Sequence, residues 1–137
     1  MVFQESMRLY PPLPFIARSA LKADRLGGYD IPPKATILIS QFVTHRHPAF
    51  WDNPERFNPE RFTPEAVHQR PHLCYFPFSA GQRMCIGADF AMMEALLFLC
   101  LAIQRYQLER VSVETVELLE QVTLRPKGGL AMHIKKV

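Results

Sequence analysis

Phe78-Ser79-Ala80-Gly81-Gln82-Arg83-Met84-Cys85-Ile86-Gly87 sets one cysteine on a glycine-bounded loop that runs directly into a long apolar segment, residues 88–104. Glycines at 81 and 87 permit tight turns and close approach of the backbone. Backbone N–H groups at the start of a following helix favour negative charge on a sulfur held there. Arg83 places a permanent cation close to that sulfur, suited to a carboxylate on whatever the sulfur binds, and Phe78 adds an aromatic wall. A thiolate presented in this way is a metal ligand, and sulfur, cation and ring together suggest haem. The competing reading is a buried structural cysteine beside a helix, the usual fate of a lone Cys.

Several other chemistries are disfavoured by the same sequence. The 137 residues are enough for one domain with a core, and the net charge of +3 is mild, with arginines scattered instead of gathered into a patch. No nucleic-acid partner is indicated. Cys74, Cys85 and Cys100 make an odd count without paired spacing, which argues against a disulfide framework and suits a reducing, cytoplasmic compartment. There is no C-x-x-C, and His45, His47, His68, His72 and His133 lack the spacing of zinc sites. His72, Cys74 and Cys85 could meet in space, although loop histidines are more often solvated. The longest apolar run, near residues 95–103, is too short to span a bilayer, and no signal peptide opens the chain. Any membrane anchor is expected to lie in sequence absent here.

Upstream of the loop, residues 1–9 form a helical pattern that stops at Pro11-Pro12, because proline removes a donor and restricts the residue before it. Glu5 and Arg8 share one face of this helix; on a surface such an i,i+3 pair contributes only a few tenths of a kcal/mol. Residues 17–21 and 35–40 are short apolar or β-branched runs with the hairpin signal Gly27-Gly28 between them. Residues 41–76 begin with a short helical piece and continue as coil rich in proline and aromatics, an irregular stretch long enough to imply function or dense packing. Residues 88–104 are apolar except for Asp89, Glu94 and Gln104, which predicts a helix buried on most sides, with Cys100 as packing. Residues 108–113 and 122–137, around Lys127-Gly128-Gly129, predict terminal hairpins.

The decapeptide resembles the F-x-x-G-x-R-x-C-x-G signature of the cytochrome P450 superfamily, the haem-thiolate monooxygenases, matching it at Phe78, Gly81, Arg83, Cys85 and Gly87. Glu5-Ser6-Met7-Arg8 matches the family's E-x-x-R motif, and Pro59-Glu60-Arg61-Phe62 its P-E-R-F motif, in the family's order. A second copy, Pro54-Glu55-Arg56-Phe57, leaves an ambiguity; distance from Trp51 and from the cysteine loop favours the later copy. The resemblance implies haem b with its iron held by Cys85, whose electron push favours O–O cleavage. It makes Arg18 and Arg83 partners of the haem propionates, and Glu5, Arg8 and Arg61 a buried structural cluster. It puts Pro14, Phe15 and Ile16, and the turn at Gly128-Gly129, near a substrate pocket. The implied fold class is α+β, mainly helical with small β-sheets and long coil, with residues 1–137 as a single partial domain covering the C-terminal third of the P450 fold.

The implied activity is insertion of one oxygen atom of O2 into an apolar substrate, with electrons from a reductase or ferredoxin. The wording of residues 8–12 and 81–85 leans weakly towards fatty-acid and lipid hydroxylation. The family activates O2 with a distal helix carrying an acid–threonine pair, which belongs upstream of Glu5. Glu114-Thr115 has those residue types in the wrong place and is expected to be a surface pair. Two expectations follow: a catalytic part that needs its N-terminal portion, or a truncated, inactive fragment with weak haem binding or an interaction role only.

Overall fold

The computed structural model describes residues 1–137, apart from the side chain at position 120. Helix α1, Val2–Leu9, is amphipathic and buries Glu5, Met7, Arg8 and Leu9. It ends where Tyr10 turns to φ −129°, its N–H still bonded to the Ser6 carbonyl at 2.7 Å, because Pro11 cannot continue the ladder.

Strand β1, Phe15–Ser19, pairs antiparallel with β4, Thr36–Ser40, in a register from Phe15 opposite Ser40 to Ser19 opposite Thr36. Between them β2, Asp24–Leu26, and β3, Tyr29–Ile31, form a separate hairpin. Its turn needs a positive φ at both central residues, and Gly27 and Gly28 supply +58° and +89°.

Ser40 closes β4 and opens α2, Gln41–Thr44. Its hydroxyl accepts from the Val43 N–H at 3.2 Å, occupying one of the free donors of the first turn. The coil that follows is ordered by two further caps. Asn58 accepts from the Glu60 N–H ahead of a 3-10 turn at Pro59–Phe62, and Thr63 accepts from Ala66 N–H ahead of α3, Pro64–Gln69. Trp51, Phe62 and Cys74 form a small buried core with Tyr75 packed on it.

The cysteine loop leads into α4, Ala88–Arg105, which passes into β5, Tyr106–Arg110. Strand β5 pairs with β8, Met132–Lys136, and encloses the hairpin of β6, Leu118–Glu120, and β7, Leu124–Pro126. The Leu124 N–H reaches back to the Pro12 carbonyl at 2.9 Å, tying this hairpin to the segment after α1. Small antiparallel sheets, helices and long coil are therefore the architecture, as the sequence implies.

One expectation is corrected. None of the residues of α4 is buried, and Phe90, Leu97, Phe98, Leu101 and Ile103 are exposed. A helix that is apolar all round needs neighbours on most sides, and beside α4 the described residues place β5, the loop region and, across a groove, α1. No described helix is long and apolar enough to cross a membrane.

Candidate functional site

The deepest polar contacts lie where α1 meets the coil. Arg8 grips the Glu5 carboxylate with two nitrogens, Nε to Oε2 at 2.7 Å and Nη2 to Oε1 at 2.9 Å, and both side chains are fully buried. The fork geometry of guanidinium and carboxylate makes this a strong, directional pair. Arg8 Nη1 donates to the His45 carbonyl at 2.8 Å and Nη2 to the Arg56 carbonyl at 3.3 Å, while Glu5 Oε1 also accepts from Asn58 N–H at 2.8 Å.

Arg61 Nε approaches Glu5 Oε1 at 3.5 Å, and its Nη2 donates to the carbonyls of Asp52 and Asn53. Of the two P-E-R-F copies, the later one thus delivers its arginine to Glu5. Arg56 of the earlier copy has an exposed side chain and takes part through its carbonyl alone, and Glu55 beside it pairs with Arg46 at 3.2 Å. The Asn58 cap, which turns the chain inward at Pro59, separates the two copies.

Cations and rings alternate under this cluster. Arg8 lies over Trp51 at 5.0 Å, and Arg70 over Trp51 at 4.8 Å, Phe62 at 4.7 Å and Tyr75 at 5.5 Å. Desolvation lowers the pKa of Arg70 and raises those of Tyr75 and Cys74. Tyr75 keeps its proton and donates it to the Gln4 carbonyl at 3.0 Å, pinning the start of the loop segment to α1.

The loop itself is folded by its own backbone. Ser79 N–H donates to the Phe76 carbonyl, Cys85 N–H to the Phe78 carbonyl, both at 2.9 Å, and Met84 N–H to Gly81 at 3.1 Å. Ser79 and Gly81 carry the positive φ values, +66° and +70°. Gly87 has φ −91° and needs no special conformation; a Cβ there would stand 4.0 Å from the Cys85 sulfur, in ordinary van der Waals contact. Of the two roles expected of Gly87, the tight turn is absent, and the backbone lies near the sulfur.

Cys85 is an exposed free thiol just ahead of α4, with Met84, Ile86 and Phe90 exposed around it in sequence. Arg18, on β1, reaches the loop through Nη2 to Ser79 Oγ at 3.0 Å, and Arg83 is exposed on the loop itself. Phe78, Gly81 and Met84 border a groove of about 620 Å³ shared with Gln4 and Met7 of α1 and Ala88 of α4. Ile16 and Arg18 line a second cavity of about 420 Å³ with Phe76 and Ser79, whereas Pro14 and Phe15 face a third, of about 460 Å³, beside Gln121. The turn at Gly128-Gly129 borders a different pocket with Arg110 and Glu114. Among the described residues no group of three or more His, Cys, Asp and Glu could hold a metal ion, so His72, Cys74 and Cys85 do not converge.

This donor set suits a haem. Of the two exposed thiols, Cys100 lies within α4, against its expected packing role, and Cys85 alone stands on the glycine loop among exposed apolar side chains with two cations on or against that loop, which matches a flat apolar macrocycle bearing carboxylates.

Reading the sequence alone missed His45 and Gln41. Both are fully buried. Their spacing of one helical turn, from the first residue of α2 to its C-cap, was the available signal, masked by the histidine-rich surroundings at 45–47. Burial, then the cations Arg8, Arg46 and Arg70, lowers the pKa of His45 from 6.5 to about 4. Its Nε2 accepts from Phe76 N–H at 2.9 Å, which requires the neutral ring. Because the folded value lies below the unfolded one, stability is full above pH 6.5 and falls as the pH drops towards about 4, where it levels off. The shift corresponds to about 3 kcal/mol. Urea unfolding between pH 7 and pH 4 should show this loss in the wild type and not in His45→Gln.

A family model for cytochrome P450 matches residues 1–133. Cytochrome P450 4X1 of Rattus norvegicus is 36% identical over the whole of this chain, which covers 27% of that protein, and cytochrome P450 4F2 of Homo sapiens is 41% identical over 98% of it, covering 26%. The chain thus spans about a quarter of the length of the curated relatives it matches. Among solved structures, a retinoic acid bound cyanobacterial CYP120A1 superposes with a TM-score of 0.93 at 31% identity, over 99% of this chain and 32% of that one. The haem domain of cytochrome P450DA superposes at 0.91 and 30% identity, over 98% of this chain and 30% of that one.

Proposed function

The chain belongs to the cytochrome P450 family, and from that we propose that residues 1–137 are the haem-ligand part of a monooxygenase that inserts one oxygen atom of O2 into an apolar organic substrate. The observation that carries this reading is the exposed Cys85 thiol on a loop tied to β1, α1 and α2 ahead of the N-terminus of α4.

Cys85 would hold the iron of haem b through its thiolate, and the aligned N–H groups at the start of α4 favour the negative sulfur. Arg18 and Arg83 would pair with the carboxylates of the group. Phe78 would shield the sulfur side from water, Gly81 would let the loop turn, and Gly87 would lie beside the sulfur. Glu5, Arg8 and Arg61 fix the coil beneath the loop and do no chemistry. Haem, once bound, supplies O2 activation and oxygen transfer, helped by electron donation from the thiolate.

An apolar substrate is supported by the retinoic acid in one matched structure, and a fatty acid or lipid is the class the sequence leans towards. Electrons would come from a reductase or ferredoxin. Turnover would also need the part of the family's fold that these residues do not match, on the same or a second chain. The free thiols Cys74, Cys85 and Cys100 support a reducing, cytoplasmic setting for this portion.

The test is the absorption spectrum of the chain with added haem, reduced and exposed to carbon monoxide. A red-shifted thiolate-type Soret band is expected, and it should be lost entirely in Cys85→Ala. The exposed position of Cys85 means that the apo chain's unfolding midpoint should not move with this substitution. No band, or one indifferent to the mutation, would leave the reading of an inactive fragment with an interaction role.

A further inference from the structure

We infer that Gln41 and His45 are positioning residues for the cysteine loop: one turn apart, they hold both backbone polar groups of Phe76 and so set where that loop begins. Gln41 Nε2 donates to the Phe76 carbonyl at 2.8 Å, and the Phe76 N–H donates to His45 Nε2 at 2.9 Å. The two side chains are aligned because His45 is the C-cap of α2, its own N–H bonded to the Gln41 carbonyl at 2.8 Å.

Neither Gln41 nor His45 is exposed at all. Burying an amide and an imidazole is unfavourable unless they are hydrogen-bonded; among the described residues Gln41 Oε1 and His45 Nδ1 have no partner, so the bonds to residue 76 are the only side-chain hydrogen bonds these two groups make, and they favour one placement of that residue over others nearby. The rings add to this: His45 meets Phe76 edge-on at 5.2 Å and Tyr75 at 5.1 Å.

From Phe76 the placement is carried forward by backbone bonds. The same Phe76 carbonyl accepts from Ser79 N–H, and the Phe78 carbonyl accepts from Cys85 N–H. At the far end Met84 and Ile86 are exposed, so the loop is located from its beginning. His45 also looks the other way, since its carbonyl receives Arg8 Nη1 at 2.8 Å. One residue therefore connects the buried Glu5–Arg8 pair to the segment that presents Cys85.

The purpose of this clamp rests on the haem-ligand reading, but its existence is testable without haem. Amide hydrogen exchange on the full chain would compare wild type, His45→Leu, Gln41→Leu and His45→Gln. The Phe76 and Cys85 amides should be protected in the wild type. In the two leucine variants they should exchange about tenfold or more faster while β1 and β4 amides keep their rates, and His45→Gln, which retains an acceptor, should recover part of the protection.

A Phe76 amide that exchanges freely in the wild type, or an acceleration equal in all elements, overturns the positioning role. If His45→Leu fails to fold, Gln41→Leu and His45→Gln decide the matter on the same criterion. With haem and carbon monoxide, the leucine variants should lose thiolate-type band intensity. If the wild type shows the exchange pattern and takes no haem, the haem reading fails and the clamp stands.

Discussion

Replacing Glu5 by alanine is expected to cost about 3–5 kcal/mol, because it leaves the Arg8 guanidinium buried without its counter-charge. Glu5 accepts from Arg8 twice, from the Asn58 N–H, and faces Arg61 Nε at 3.5 Å, so one truncation strips partners from α1 and from the capped turn at residues 58–62. Arg8→Leu should be similarly severe, since the carbonyls of His45 and Arg56 lose their donor as well. The double replacement Glu5→Met with Arg8→Leu should cost clearly less than the sum of the two single changes, because no unpaired charge remains. Urea denaturation of the four proteins checks this. Strict additivity would mean that the pair is not the unit the geometry describes.

Trp51→Ala should cost a similar amount, about 3–5 kcal/mol, for an apolar reason. Trp51 is 2% exposed, packs in the core with Phe62 and Cys74, and donates from Nε1 to the Thr44 carbonyl at 3.2 Å. Two arginines rest on its ring. Removing it opens a cavity and takes the aromatic face from beneath both cations. The loss would be read by circular dichroism in urea, because Trp51 is the only tryptophan and its fluorescence goes with it. Ile86→Ala is the control: an isoleucine fully in solvent should change stability by less than about 0.5 kcal/mol.

Both predictions fall on residues with little local signature. E-x-x-R is a weak pattern by itself, and a tryptophan in a proline-rich coil can be read as a loop residue. Their importance comes from what the chain brings to them: Asn58 and Arg61 from one side, His45 from another, Arg70 from a third. Glu5 and Arg61 are far apart in sequence, and no periodicity links them. The family resemblance linked them by order of motifs, and the structure supplies the distances.

What the sequence by itself determined is everything local or patterned. Pro11 and Pro12 end α1, Gly27-Gly28 make the β2–β3 turn, caps at Ser40, Asn58 and Thr63 start their turns, and a long, mostly apolar segment makes α4. The cysteine motif likewise declares its type of ligand within ten residues. Tertiary structure alone decided that Arg18 touches Ser79, that Gln41 and His45 hold Phe76, and that the faces of α4 remain exposed, and it gave the favoured later P-E-R-F copy its contact with Glu5. The physical reason is that turns, caps and helix patterns depend on neighbours within a few residues. Burial and the pairing of buried polar groups depend on segments that meet only when the chain has folded.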